Sequence, residues 1–171
     1  LTAGSSIVDA NSSLMNIAAD NLSLVAEGGL IGSADALNGI PGQNVNAIDI
    51  SVATLAANAE SGIYLLEADA LTITTVAAVT VNVGSVLRVN FNSTTSSVGQ
   101  SRGTSSLEDL STDSAGPVKL VSLAGSLTIE GGSDGQGVSA AGNGDVLLKA
   151  AQDVTINAEV VSGSGNITLD S

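Results

Sequence analysis

At 171 residues with 43% apolar content, the chain is long enough to bury one substantial core. Its 17 acidic residues face four basic ones, and a net charge of −13 repels phosphate backbones and anionic lipid, which excludes nucleic acid as a partner. The absence of Cys and His removes disulfides, thiolate nucleophiles, zinc-thiolate sites and the commonest general base.

The apolar residues are overwhelmingly Val, Ile, Leu and Ala, with Tyr64 and Phe91 as the aromatics and Met15 as the single sulfur. Small aliphatic side chains suit a narrow interior built of stacked, similar layers, whereas sandwiches and propellers fill irregular space with large rings. Twenty Gly and only two Pro, among many Asn and Ser, place turns at short intervals without the Pro content of a disordered linker.

The chain opens on Leu1, with no basic and apolar leader, and reads as a piece excised from something larger. Strand-like alternation begins at Asn16 to Ala19 and Leu22 to Glu27. A candidate excursion, Gly32 to Gln43, contains Pro41. Alternation resumes at Ala47 to Ala53, Ile63 to Glu67, Leu71 to Val76 and Val79 to Val83. Residues 84–116 are Ser/Thr-rich and are expected to leave the regular structure as an elaborated loop, with Val86 to Phe91 and Leu107 to Leu110 apolar enough to form short strands inside it. Val118 to Leu123, Leu127 to Glu130, Val146 to Lys149, Val154 to Ala158 and Asn166 to Asp170 complete the series, with Gly, Asn, Asp or Ser in nearly every gap. No apolar run approaches membrane-spanning length.

Repetition decides among the all-β architectures. GIYLLEADALTI, from Gly62, returns as GDVLLKAAQDVTI, from Gly144, so that Leu65 falls on Leu148 and Ile73 on Ile156 at an offset of 83. Gly144 and Gly165 open two similar phrases 21 residues apart, close to one coil of a parallel β-helix, which makes the offset of 83 roughly four coils. The triplets Leu71-Thr72-Ile73, Leu127-Thr128-Ile129, Val154-Thr155-Ile156 and Ile167-Thr168-Leu169 put two aliphatic side chains on one face of a strand and Thr on the other. The predicted core is therefore Ile63, Leu65, Leu71, Ile73, Leu127, Ile129, Val146, Leu148, Val154, Ile156, Ile167 and Leu169, with an outward ladder of Thr. The expected fold is all-β, a right-handed parallel β-helix (β-solenoid) of roughly six to eight coils. It forms one segment over 1–171, one unit of a tandem array, interrupted by the 84–116 excursion.

GDVLLKAAQDVTINAEVVSGSGNITLDS, LTAGSSI, AIDISVATLAA and GIYLLEADALTI resemble the β-strand repeats of giant bacterial surface proteins, the filamentous-haemagglutinin-like and LEPR-XLL-type adhesins. The resemblance covers most of the chain outside 84–106 and implies a solenoid at the extracellular bacterial cell surface. It carries no catalytic motif.

Chemistry is sought in the carboxylates, since β-helices also carry polysaccharide-cleaving sites built on clustered acids. Glu67 and Asp69 share strand parity, whereas Glu108 and Asp109 are adjacent and should point to opposite faces. Asp9, Asp20, Asp145, Asp153 and Asp170 stand singly beside turns, as capping residues do. No catalytic and no metal-ligating residues are assigned, and no cofactor is expected. Calcium is the one ion worth weighing, because Gly131 to Gly137 has a Gly-Asp rhythm around Asp134 but lacks the repeating nonapeptide of a calcium β-roll. The expected function is a non-enzymatic structural module of a surface fibre or adhesin, its partners being neighbouring copies or repeats end to end, with surface polysaccharide as a further candidate. The alternative is a carbohydrate-binding or polysaccharide-cleaving β-helix.

Overall fold

In a computed structural model, which describes residues 1–33 and 46–171, the chain divides into two units, 1–76 with 107–171, and 77–106. The excursion expected at Gly32 to Gln43 lies, from residue 34 onward, outside the described residues. All regular structure among the described residues is β, and in the larger unit the strand ladders are parallel, which makes it a parallel β-helix.

The larger unit winds over three stacks of strands. β1 (Thr2–Ala3) begins the third stack. β2 (Ile17–Ala26) crosses all three, followed by β3 (Leu30–Ile31) on the first and β4 (Ile48–Ala59), which again crosses all three. β5 (Gly62–Glu67) and β6 (Leu71–Ile73) take the first and second stacks of the next coil. After the smaller unit, formed by β7 (Thr80–Val89) and β8 (Thr95–Gly103), β9 (Leu110–Thr112) closes that coil on the third stack. The last coils are β10 (Val118–Ser122), β11 (Leu127–Ile129) and β12 (Gln136–Ala140), then β13 (Val146–Lys149), β14 (Val154–Ile156) and β15 (Glu159–Ser162), then β16 (Ile167–Asp170).

Register turns these strands into columns. On the first stack Ile7, Ile31, Ile63, Val118, Val146 and Ile167 align, as do Ile48, Leu65, Leu120, Leu148 and Leu169. Leu22, Leu55, Ile73, Ile129 and Ile156 align on the second stack, and Leu24, Ala57, Leu110, Val138 and Val160 on the third. Period-2 alternation sends these side chains inward and their neighbours outward, so β10 reads buried, half-buried, buried along its length. Among the described residues the interior is filled by Val, Ile, Leu and Ala, with no aromatic ring in the core.

The first column gives the coil count among the described residues. Its members follow one another at intervals of 24, 32, 55, 28 and 21 residues, which makes five complete coils there, where composition and period suggested six to eight. The 21-residue step from Val146 to Ile167 is one coil, as its phrase repetition predicts. The offset of 83, however, spans two coils and not four: Leu65 stacks on Leu120 and Leu120 on Leu148. The 30 residues of the smaller unit swell the coil between Leu65 and Leu120 and make the sequence distance a poor ruler.

That smaller unit is an antiparallel hairpin, Thr80 opposite Gly103 and Val89 opposite Thr95, with a register shift between Val83 and Val86. The excursion therefore starts and stops earlier than 84–116. Leu107 is already back in the larger unit, where its N–H and carbonyl pair with those of Val76 at 3.0 and 2.7 Å, and Leu110 is fully buried.

At the corner leading into the first stack, successive coils approach too closely for a side chain. A Cβ on Gly165 would lie 2.4 Å from the carbonyl oxygen of Gly144, and one on Gly144 would lie 2.3 Å from that of Gly116. Gly144 and Gly165, which open two of the repeated phrases, are thus spacers between coils.

Candidate functional site

The structure buries Ile63, Leu65, Leu71, Ile73, Leu127, Ile129, Val146 and Leu148 and partly buries Val154. Ile156, Ile167 and Leu169 continue the same columns but are 40%, 44% and 48% exposed, which corrects their assignment to the interior. Each lies on a strand paired on one side only among the described residues, where no further strand covers it. The last coil therefore presents an apolar edge beside unpaired backbone groups.

On the outside of the second stack, Asn21, Thr54, Thr72, Thr128 and Thr155 occupy one file in consecutive register, half-buried or exposed. The strand triplets predict this ladder, and Thr54, between Ala53 and Leu55, extends it by one rung. Other outward residues tie coil to coil: Asn58 donates to Ser111 and Asp113 at 3.0 Å, and Asn157 donates to Glu130 at 2.8 Å. Lys149 forms an ion pair with Asp170. Tyr64 is half-buried, with its ring over Gly62 beside Pro117.

Two groups of carboxylates depart from the picture of isolated turn caps. The first is at the corner after β5, where an open groove of about 480 Å³ is walled by alanines and carries Asp20, Ser51 and Asp69. Glu67 lies beneath it at 0% exposure, at a column position held by Ile50 and Ser122 in adjacent coils. Its Oε1 accepts from the N–H of Ala68 at 2.9 Å and of Asp69 at 3.2 Å, and its Oε2 accepts from that of Val52 at 3.2 Å. Burial pushes its pKa up to about 7; hydrogen bonds from the Asp69 and Val52 N–H groups oppose this, and the Asp69 carboxylate reinforces it. A shifted carboxyl beside a second acid is a feature of acid–base sites. Glu67 is sealed from solvent, however, and spends its oxygens on three backbone donors. Its geometry is that of a corner clasp, not of a group in reach of a substrate.

The second group comprises Glu108, Asp109 and Asp134, one carboxylate oxygen of each lying within 4.8 Å of the others. Strand alternation sends Glu108 and Asp109 to opposite faces, but Asp109 adopts φ of 68°, a left-handed turn that breaks the alternation just before β9. Asp109 is 6% exposed, and its Oδ1 is buried with no hydrogen-bond partner among the described residues. Its pKa is pushed up to about 6, first by burial and then by the charges of Asp134 and Glu108, with the Gly132 N–H opposing. Glu108 is exposed enough to be ionised easily. The Ser133 N–H and hydroxyl, both at 2.7 Å, hold its carboxyl below the usual range.

No family model matches this chain, and no curated protein or solved structure is significantly similar to it. The site therefore rests on its own geometry.

The sequence singles out Asp134 by its Gly-rich turn but not its partners. Glu108 and Ser133 are 25 residues apart, an interval of the size that separates stacked residues here, so aligning the acids by coil instead of by strand parity brings the three together.

Proposed function

We propose that the chain is a structural segment of an extracellular bacterial surface fibre or adhesin, packing end to end against neighbouring repeats or copies of itself. The observation that carries this reading is the continuation of two first-stack columns, from Ile7 and Ile48 through the core, to the exposed Ile167 and Leu169. A further coil laid over β16 would bury both side chains and pair the free backbone edge. At the opposite face Leu1, Leu14 and Met15 are exposed, so contact between the two ends is heterologous and propagates along the axis. The charge of −13 opposes side-by-side clumping, which leaves the ends as the favoured contact. The sequence resemblance to giant surface adhesins supports the extracellular setting, with surface polysaccharide as a further partner.

A carbohydrate-binding or polysaccharide-cleaving β-helix is the runner-up. Its best location is the groove at Asp20 and Asp69, whose lining includes no aromatic ring to stack on sugar and no basic side chain.

Light scattering across a concentration series tests the main reading. The chain is expected to show average masses of at least twice the monomer that grow with concentration, in forms extended along one axis by electron microscopy. The double variant I167T/L169T, which keeps β propensity but removes the apolar edge, is expected to shift the association to about tenfold higher concentration or more. A parent chain that stays monomeric throughout refutes end-to-end packing.

A further inference from the structure

Carboxylates this close repel one another, and one of the three has an oxygen with neither water access nor a donor. Ser133 pins both oxygens of Glu108, and the N–H of Gln136 holds Oδ1 of Asp134 at 2.9 Å, so two of the three side chains are fixed in place by backbone and side-chain donors. Asp109 is fixed by its own burial. A left-handed backbone at a non-Gly residue, a buried anion and an orphaned oxygen are each unfavourable, and here they coincide at one residue. No basic side chain forms a salt bridge with the cluster among the described residues.

We propose that Glu108, Asp109 and Asp134 bind a calcium ion that fastens the β11–β12 turn to the residues entering β9. The donor set is all oxygen and triply anionic, which suits a hard cation and not a soft one. Calcium takes oxygens at about 2.3–2.6 Å, so ligands on opposite sides of the ion stand about 4.6–5.2 Å apart, whereas magnesium's shorter bonds bring them to about 4.2 Å. Three carboxylate oxygens within 4.8 Å of one another are close enough to share one calcium ion. Oδ1 of Asp109 supplies the buried ligand. Glu108 retains a spare lone pair on each oxygen, Asp134 faces solvent, and water completes the shell of six to eight. Three carboxylates with several waters place the affinity in the range of extracellular calcium modules, about 0.1–1 mM. The site stands or falls separately from end-to-end packing, since it is read by a calcium-dependent melting shift and packing is read by association.

Thermal melting in EDTA, in calcium chloride and in magnesium chloride, with calcium titration calorimetry on the same chain, tests the proposal. Calcium near 100 times its dissociation constant is expected to raise the melting temperature by about 5–10 °C, and magnesium at equal concentration by less than half as much. Asp109→Asn keeps size and tolerates left-handed backbone while removing the buried charge. It is expected to melt at or above the parent in EDTA and to lose the calcium shift. Asp134→Asn, at an exposed position, provides a second variant that folds regardless and is expected to lose at least half of the shift. Absence of a calcium shift and of binding heat in the parent, or full retention of the shift in both variants, overturns the proposal. A calcium response lost in Asp109→Asn without a gain in EDTA melting still supports the site and removes only the argument from repulsion.

Discussion

Replacing Leu148 by Ala is expected to lower stability by about 2–5 kcal/mol, while the same truncation at Leu169 costs less than half as much. Both residues belong to one column and differ by a single coil. Leu148 is fully buried between Leu120 and Leu169, whereas Leu169 is 48% exposed. The removed atoms at Leu148 lose their transfer free energy and leave a cavity that neighbours from three stacks cannot fill, because each is held by its own ladder hydrogen bonds. Leu65→Ala and Ile73→Ala should behave like Leu148→Ala, and Ile156→Ala like Leu169→Ala. Thr72→Ser and Thr128→Ser, on the outer side of the same stacks, should change stability by no more than about 0.5 kcal/mol. Urea unfolding with a constant slope m reads all of these. Equal losses at Leu148 and Leu169 would mean that the end coil is covered in solution, and equal losses at Leu148 and Thr128 would refute the inward and outward assignment of the columns. Since each coil touches only its neighbours, hydrogen exchange should be fastest at β16 and slowest near β5 and β10.

The contrast between Leu148 and Leu169 also shows how far the sequence reaches. Triplets such as Leu127-Thr128-Ile129 reveal which side of a strand faces in, because alternation is local and each apolar-Thr-apolar unit carries it whole. Whether a coil lies above or below is not local, so Ile167-Thr168-Leu169 reads the same as its buried counterparts. β2 and β4 were legible only in part: Ala53, Ala56 and Ala57 let the backbone bend around corners without Gly or Pro, so one strand of 12 residues reads as a shorter one followed by nothing. β12 and β15, with the sequences QGVSA and EVVS, give too few alternations to stand out. The hairpin misled the period count, since its residues add length to a coil without adding a turn of the helix. The acidic cluster was hidden for another reason. Its members come from different coils, and the left-handed turn at Asp109 follows from no pattern of residue types.

Glu67, on the same strand parity as the buried Ile63 and Leu65, is fully buried and gives the second large effect. In EDTA the chain is expected to be more stable near pH 5 than at pH 8, by about 3 kcal/mol. The sign follows from proton binding. The Glu67 carboxyl has a pKa of about 7 in the folded chain against 4.5 ordinarily, so between these values the folded state holds a proton that the unfolded state has released. Stability from this residue is complete below pH 4.5, declines as pH rises to about 7, and is flat above that. Asp109, raised from 3.8 to about 6 in the absence of a cation, acts in the same direction over a lower window, and Asp49, raised by burial and by Asp9, adds to it. Asp9 and Glu108 act oppositely: hydrogen bonds from Asn11 and Ser133 hold them below their ordinary values, so what they contribute is present at neutral pH and is lost in stronger acid. Stability therefore declines from about pH 5 to pH 8, and the contributions of Asp9 and Glu108 are lost in stronger acid. Glu67→Gln isolates the main contributor. The amide retains an oxygen for the Val52, Ala68 or Asp69 N–H groups and offers a donor to the Asp69 carboxylate, which a charged Glu67 repels. The variant should match the parent at pH 5, exceed it at pH 8 by about 2–3 kcal/mol, and show a flattened profile between the two, read from urea midpoints at each pH. If the parent is as stable at pH 8 as at pH 5, or if Glu67→Gln keeps the parent's slope, then the buried carboxylate is ionised at little cost, and the three backbone donors, not a retained proton, are what keep it inside the coil.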